Sequence, residues 1–461
     1  MSVEKPGLES APTLRQRLLS GGAWTAGARV IAGLSGFAVN VLLARLLSPE
    51  DLGAYFLLVS IASVGAMTAQ LGLQLAVVRL VTQALAQDDP GRARGYIRLA
   101  LVAVAVCATV LGVLIGLTGQ SFAVAIFSSV ALAHVAWLGG AWLAGLAVMN
   151  LVSEAFRALH DYRMAGALGG AGSTLLMLAA LLLVYVTRSR ADLFLVCLLA
   201  TLMVVVCALW GMTVLQGRVR RLGPVSAVSS GEMFTVSLPL LVTGLAIFVA
   251  TQADLWILGM YRDKDEVAMY GAAMRLVQLV TMPMLMMNAV LGPSISEQFS
   301  KGNKARLERL LRASAALIGL PALVALTLIA LAAGPVLGWV YGDYYRSGAM
   351  ALLLVSAGQV VNVLTGSAAT VLMMTGHQRA SMVISAATGT GLIAGGLLVV
   401  ERHGINGVAA VTAAMVAMHG LLSAAWVRRS TGIKTHCGLE GIADVAGELR
   451  RFLPGGLGAR S

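Results

Sequence analysis

Charged side chains are scarce in this sequence. Aspartate, glutamate, lysine and arginine make up 12% of the 461 residues, about half of the roughly 25% that soluble proteins carry. Apolar residues make up 58%, and the mean hydropathy is +0.85. A chain with so few charges cannot cover a water-facing surface. The composition therefore excludes a soluble protein and predicts an integral membrane protein.

Motifs for metal, nucleotide and disulfide chemistry are missing as well. The 4 cysteines include no C-x-x-C pair, and the 6 histidines show no H-E-x-x-H spacing, which argues against a zinc site or a disulfide framework. There is no G-x-x-x-x-G-K-[ST] motif, so we expect no ATP binding through a P-loop. These absences predict a protein that is not an enzyme, with no catalytic residues, no metal and no cofactor.

Long apolar runs follow one another along the whole sequence. Each is near the 20 residues that a helix needs to cross a hydrocarbon layer of about 30 Å. Helices are expected because unpaired backbone polar groups cannot face lipid. The runs lie at about 22–45, 53–79, 97–118, 130–155, 164–186, 193–215, 235–260, 267–290, 314–340, 348–374, 380–400 and 405–427. The pattern predicts an all-α protein with twelve transmembrane helices.

Basic residues between the apolar runs predict the topology. With a cytoplasmic N-terminus, 24 of the 33 lysines and arginines lie on the cytoplasmic side and 7 on the outer side, as the positive-inside rule requires. Both termini are therefore expected in the cytoplasm, and the polar first 20 residues lack the apolar stretch of a cleavable signal peptide. Basic residues spread between spans contact membrane lipids and offer no continuous face for nucleic acid.

Two short motifs recur 215 residues apart, in equivalent places. PEDLGAY at 49–55 matches KDEVAMY at 264–270, and DDPGRAR at 88–94 is echoed by NKARLER at 303–309. An even number of helices separates the copies, which predicts two six-helix lobes in a parallel repeat. The expected divisions are a cytoplasmic segment 1–21, an N-lobe 22–215, a cytoplasmic linker 216–234, a C-lobe 235–427 and a cytoplasmic tail 428–461.

Polar residues share one face of the first span. Arg29, Gly33, Gly36 and Asn40 follow helical spacing, which places a cation, two bare backbone patches and an amide together. An ionisable group inside a membrane costs roughly 2.5–3.5 kcal/mol and marks a functional site by default. We predict that these residues line a substrate cavity. The alternative is that the glycines pack helices and that Arg29 reaches the inner headgroups.

A second set of polar residues lies in spans 7 and 8. Arg275 and Gln278 share a face of span 8 and are predicted to line the cavity, and Asp254 of span 7 is a candidate group for coupling to a cation. The alternative is an Asp254–Arg275 ion pair that neutralises both charges. Two further polar pairs either line the cavity or bond neighbouring helices: Gln70 with Gln74, and Gln359 with Asn362.

Prolines inside spans are confined to the C-lobe. Pro239 in span 7 and Pro283 in span 8 are predicted hinges, because each removes a backbone hydrogen bond and permits a bend.

The sequence around the first hairpin, with two stretches in spans 7 and 8, resembles a known family. NVLLARLLSPEDLGAY at 40–55, DLWILG at 254–259 and YGAAMRL at 270–276 are similar to the Wzx-like polysaccharide-transport flippases. These belong to the MOP (multidrug/oligosaccharidyl-lipid/polysaccharide) superfamily, together with MurJ flippases and MATE exporters. With the twelve spans and the repeat, the resemblance covers about residues 20–430.

The resemblance implies two lobes around a central, often cationic cavity. Such a protein carries a polyprenyl-diphosphate-linked oligosaccharide from the inner to the outer leaflet of the bacterial plasma membrane, for O-antigen, capsule or exopolysaccharide synthesis. Glycan polymerase or ligase machinery is an expected partner. The alternative is a MATE-like exporter of small molecules coupled to H⁺ or Na⁺, with Asp254 as the titrating group. A membrane glycan polymerase or ligase is disfavoured because no outer loop exceeds about 12 residues by these span lengths.

Overall fold

The computed structural model describes residues 14–187, 191–433 and 435, and the regular structure in these ranges is helical throughout. Residues 1–13 of the predicted cytoplasmic segment, and residues 434 and 436–461 of the predicted tail, lie outside the described residues. The first half contains α1 (Leu14–Leu46), α2 (Pro49–Ala69), α3 (Leu73–Ala86), α4 (Pro90–Phe127), α5 (Val130–Ala158), α6 (Tyr162–Gly166), α7 (Gly172–Val186) and α8 (Leu193–Arg220).

The second half begins after a stretch without helix at 221–229, inside the predicted linker. It contains α9 (Ser230–Tyr261), α10 (Lys264–Ser300), α11 (Lys304–Ser314), α12 (Leu320–Leu331), α13 (Ala333–Tyr341), α14 (Ala349–Thr365), α15 (Ala368–Met374) and α16 (Gln378–Thr431). Single π-helical turns occupy Ala167–Ala171 and Ala315–Gly319, and a 3-10 turn occupies Asp343–Gly348.

The twelve predicted spans each have a helix in the structure. In the described part of the chain, 9 helical stretches are long and apolar enough to cross a membrane. One of them, α16, has 54 residues and bends at Gly404, where φ is +52°, so it supplies two spans. Helices α9 and α10, with 32 and 37 residues, supply the remaining two. The protein is therefore an all-α, multi-pass membrane protein.

Several spans are broken where the sequence predicted continuous helices. The predicted span 53–79 divides into α2 and α3 because Leu71 and Gly72 take positive φ angles of +52° and +70°. Gly72 is required here, since a Cβ would clash with the Ser237 carbonyl of α9. In the ninth span the π turn precedes Pro321, whose ring and missing N–H disrupt the regular ladder one turn earlier.

Helix starts are fixed by local sequence. The side chains of Ser48, Asp89, Ser129 and Asp192 each accept a hydrogen bond from the backbone N–H three residues later, at 2.8–3.1 Å. Each bond satisfies a donor that the first helical turn leaves unpaired. These caps set the turns between spans 1 and 2, 2 and 3, 3 and 4, and 5 and 6.

Two kinds of surface distinguish the helices. Large apolar side chains such as Leu331 and Trp339 are each 81% exposed, which suits contact with lipid chains. Between α4 and α5 the backbones touch, because Gly112 faces Gly140 and a Cβ at either position would meet the other's carbonyl group. Small residues of this kind allow close packing of membrane helices.

Candidate functional site

The two repeat motifs meet at the contact between the lobes. Gly53 of α2 lies against the backbone of Lys264 at the start of α10, and a Cβ at Gly53 would clash with the Lys264 carbonyl. Deeper along the same contact, the Ser60 hydroxyl donates to Gln252 at 2.9 Å and accepts from the Trp256 indole at 2.8 Å. The repeat seen in the sequence therefore forms the seam between the lobes.

Arg45 closes the seam on the predicted outer side. Its guanidinium donates to the carbonyls of Trp339 at 2.6 Å and Val340 at 3.2 Å, near the carboxyl end of α13. A cation is favoured at this place because a helix carboxyl end carries partial negative charge. The bonds join α1 to the C-lobe.

On the predicted cytoplasmic side, Glu232 joins α9 to α4. Its carboxylate accepts hydrogen bonds from Tyr96 at 2.7 Å and from Arg92 at 3.1 Å. The hydrogen bond from Tyr96 and then those from Arg92 hold the pKa of Glu232 below its ordinary value. Sequence patterns do not reveal this cluster, because Glu232 lies 136 residues from Tyr96 and 140 from Arg92.

Arg275 of α10 lies at the centre of the seam. Its guanidinium carbon is 3.5 Å from the centre of the Phe56 ring, and one of its nitrogens donates to the Gly271 carbonyl at 3.1 Å. Gly271 is needed at this position, since a Cβ would clash with the Phe56 ring.

Arg275 retains most of its capacity to bind an anion. It forms no ion pair with any residue that the structure describes, and one hydrogen bond leaves the other N–H donors of a guanidinium unused. Stacking on an aromatic face stabilises the cation without neutralising it. The sequence predicted Arg275 as a site residue and did not predict Phe56, although Phe56 directly follows the first repeat motif.

Asp254 does not pair with Arg275. Its carboxylate accepts hydrogen bonds from the Tyr270 hydroxyl at 2.6 Å and from the Leu255 backbone N–H at 2.8 Å. The Tyr270 hydroxyl lies 3.1 Å from that of Thr412. This buried network joins α9, α10 and α16 inside the C-lobe. It places the Tyr270 hydroxyl, and beyond it the Thr412 hydroxyl, beside one carboxylate, and such oxygen groups can hold a proton or contribute to a hard-cation site.

Arg29 and Arg275 lie on opposite sides of a close contact between α1 and α10. Gly33, one turn along α1, faces Met282 of α10, whose side chain occupies the space of a Cβ. Counting from that contact at 1.5 Å per residue in antiparallel helices, Arg29 and Arg275 are separated by about 16 Å along the membrane normal. Arg29 is exposed and interacts electrostatically with Glu154, whose carboxylate pairs with Arg157 at 2.7 Å.

The remaining predicted cavity residues differ in how exposed their side chains are. Gly36 faces open space, and Gln278 is exposed. Asn40 donates to the Gly36 carbonyl at 2.7 Å, so its amide lies along α1. Gln70 is buried at the break after α2, and Gln74 is partly buried on α3.

The polar pair of the tenth span lies between helices of the C-lobe. The Asn362 amide donates to Gln359 at 3.1 Å, and Asn362 lies beside Gly420 of α16. This placement favours the alternative in which the two side chains contribute to packing between α14 and α16. A role in lining the cavity stays a prediction.

Neither predicted hinge breaks its helix. The backbone of α9 continues through Pro239 and that of α10 through Pro283, which is exposed. Departures from helical geometry occur instead at Gly169, Gly170 and Gly404. The hinge role of the two prolines stays a prediction.

No cluster of three or more His, Cys, Asp or Glu side chains that could hold a metal ion occurs within the described ranges. The candidate site is the seam between the lobes, with the cations Arg275 and Arg29 at two depths and a separate carboxylate network in the C-lobe.

Solved membrane transporters share this fold. An inward-facing multidrug resistance MATE family transporter of the MOP superfamily superposes with a TM-score of 0.71 at 16% identity, covering 88% of this chain and 97% of that one. The lipid II flippase MurJ, in an inward closed conformation, gives a TM-score of 0.66 at 10% identity, covering 94% and 91%. A MOP superfamily transporter from Pyrococcus furiosus, described as having a binding pocket of reverse polarity, gives 0.62 at 16%, covering 89% and 95%.

At these identities the likeness shows the fold alone. No curated protein sequence matches the chain. The sequence model of one family, described as polysaccharide biosynthesis protein, matches residues 42–351, about two thirds of the chain. The family resemblance inferred from the sequence of the first hairpin is thereby confirmed, and the chain belongs to the polysaccharide biosynthesis protein family.

Proposed function

We propose that this protein is a flippase for a polyprenyl-diphosphate-linked oligosaccharide. It moves the lipid-linked glycan from the inner to the outer leaflet of the bacterial plasma membrane, for O-antigen, capsule or exopolysaccharide synthesis. The observation that carries the proposal is the free guanidinium of Arg275 at the seam. Membership of a polysaccharide biosynthesis family supports it.

A diphosphate is the ligand that such a cation fits. Guanidinium groups form strong, charge-assisted hydrogen bonds to phosphate oxygens. Keeping an unpaired cation within a membrane span is costly, so it is retained where it has a function. The polyprenyl chain remains in lipid at the edge of the seam while the sugars cross between the lobes.

The two cations act at successive depths. Arg29 meets the headgroup near the cytoplasmic end of α1, and Arg275 receives it about 16 Å further out, at 1.5 Å of rise per residue. The Gly33–Met282 contact lies between them and must open as the lobes rock. Alternating access of this kind is the usual mechanism of transporters with repeated lobes.

Translocation in proteoliposomes tests the role of Arg275. Protein reconstituted with a lipid-linked oligosaccharide is assayed by the access of an external glycosidase or periodate to the sugars. Arg275→Ala should lower the rate by at least tenfold, since one charge-assisted hydrogen bond is worth about 1.5–3 kcal/mol. Arg275→Lys should retain part of the rate. Arg379→Ala removes an exposed arginine outside the seam and should leave the rate unchanged.

Two results would refute the proposal. Wild-type protein that moves no lipid-linked oligosaccharide would refute the flippase function. A wild-type rate in Arg275→Ala, with normal insertion, would refute the mechanism based on this cation.

A second candidate function is a cation-coupled exporter of small molecules. The observation that favours it is the buried Asp254–Tyr270–Thr412 network in the C-lobe. If this network couples export to a proton, Asp254→Asn should abolish uphill transport while retaining exchange, and collapse of the proton gradient should slow the wild type to the same rate. Export of cationic dyes from intact cells, with no change in surface glycan, would favour this candidate. An unchanged rate in both tests would remove Asp254 from the mechanism.

A further inference from the structure

A tyrosine-rich depression lies over the outer end of the seam. It has a volume of about 520 Å³, and its wall includes Arg45, Tyr185, Tyr341, Tyr344 and Tyr345. This volume falls within the roughly 300–1,000 Å³ that small-ligand sites occupy. The carboxyl ends of α1 and α7, from the N-lobe, form one side, and the end of α13 with the 3-10 turn after it forms the other.

The tyrosines present both accessible and buried surface. Tyr185 and Tyr344 are 49% and 45% exposed, whereas Tyr341 and Tyr345 are 1% and 2% exposed in the wall. The rings of Tyr341 and Tyr345, and those of Tyr345 and Tyr344, are 5.8 Å apart. The Tyr344 hydroxyl donates to Asp265 at 2.6 Å, so this exposed ring is held in place.

The polar groups disfavour an anion as the ligand. Arg45 already donates to two carbonyls, and the carboxylate of Asp343, which also lines the depression, pairs with Arg346 at 2.9 Å. A free phosphate would therefore meet the Asp343 carboxylate beside a cation that already uses two of its five N–H donors. Flat aromatic faces beside polar side chains suit a ligand with one apolar face and many hydroxyls. A saccharide has this chemistry.

We propose that this depression is a saccharide-binding subsite, which takes sugars of the transported glycan at the outer face. The proposal rests on the flippase function proposed above. Tyr341 of α13 lines the depression, and its ring lies 6.2 Å from that of Phe37 of α1. Because its walls come from both lobes, the subsite is complete only while the outer ends are together. A sugar bound there stabilises the outer-closed arrangement.

Binding of a free saccharide tests the subsite directly. The probe is the oligosaccharide released by mild acid from the lipid-linked pool of the source cells, titrated calorimetrically into the full-length protein in nanodiscs. Tyr185→Ala and Tyr344→Ala should each weaken binding by about 3- to 10-fold, the effect of losing one aromatic contact. Tyr344→Phe keeps the ring and should bind within about twofold of wild type. Tyr261→Ala is the matched control, since Tyr261 is exposed near the same predicted face and does not line the depression.

Several outcomes would overturn the subsite. These are no binding to wild-type protein at millimolar saccharide, unchanged binding in both alanine variants, or an equal loss in Tyr261→Ala. Inorganic pyrophosphate provides a separate arm, because its binding should require Arg275 and tolerate Tyr185→Ala. Pyrophosphate binding that does not depend on Arg275, together with normal saccharide binding, would refute the diphosphate mechanism alone. Absence of saccharide binding in a protein that still translocates the lipid-linked glycan would refute the subsite alone.

Discussion

Gly53 is the position where the two repeat motifs touch, and its replacement by alanine should separate the outer ends of the lobes. The added methyl group would clash with the carbonyl oxygen and carbon of Lys264. These are backbone atoms at the start of a 37-residue helix, so the clash cannot be relieved by a change of rotamer. Separation of α2 from α10 is the simplest relief.

The size of the effect follows from the cost of overpacking. Inserting a methyl group into a packed contact costs about 1–3 kcal/mol, and this cost is paid only while the outer ends are together. A difference of that size changes an equilibrium by about 5- to 150-fold. The Gly53→Ala variant should therefore shift strongly from the outer-closed to an outer-open arrangement.

Electron–electron distance measurements can detect this shift. Spin labels are placed at Glu50 and Glu401, exposed residues at the predicted outer ends of the two lobes, in a chain whose four native cysteines are replaced. Gly53→Ala should add or enlarge a population at longer distance. Gly217→Ala is the control, because a Cβ at Gly217 meets nothing within 4 Å. An unchanged distance distribution in a folded Gly53→Ala protein would show that this contact does not control outer closure.

Two further perturbations address other contacts. Gly33→Val should lower the translocation rate severalfold, because the valine side chain would clash with Met282. Adding Met282→Ala should restore the rate. A double variant that is no faster than Gly33→Val would exclude this contact as the cause. Hydrogen bonds depress the pKa of Glu232, so their contribution to stability is present above the ordinary glutamate pKa and lost as the pH falls through the lowered value. Thermal unfolding between pH 7 and pH 3 should therefore show a larger loss for wild type than for Glu232→Gln, and equal losses would remove this bond from the acid response.

The arrangement of spans could be predicted from sequence because hydropathy and charge report directly on the membrane. The apolar run 130–155 corresponds closely to α5, Val130–Ala158. The break at Gly72 could not be predicted in this way, since its cause is the Ser237 carbonyl of a distant helix. Local sequence gives the residues that favour a turn and does not give the neighbour that forces one.

The candidate site shows the same limit. Arg275 is recognisable from sequence because a cation inside an apolar run is costly. Its stacking partner Phe56 is one aromatic residue among many, and only the contact between the repeats places it there. Asp254 was equally recognisable from sequence, yet the hydrogen bond that it accepts from Tyr270 depends on how α9 and α10 pack together. The sequence thus shows which charged residues are buried, and it does not show which residues they pair with.

The glycine contact between α4 and α5 determines where motion can be observed. Because the two backbones touch at Gly112 and Gly140, no layer of side chains lies between them that could absorb sliding or tilting. We therefore expect α4 and α5 to move together as a rigid body, so that a displacement at one end of the pair is transmitted to the other end. A fluorophore at the lipid-exposed Leu117, remote from any substrate, would consequently report the rocking of the whole lobe without disturbing what it carries.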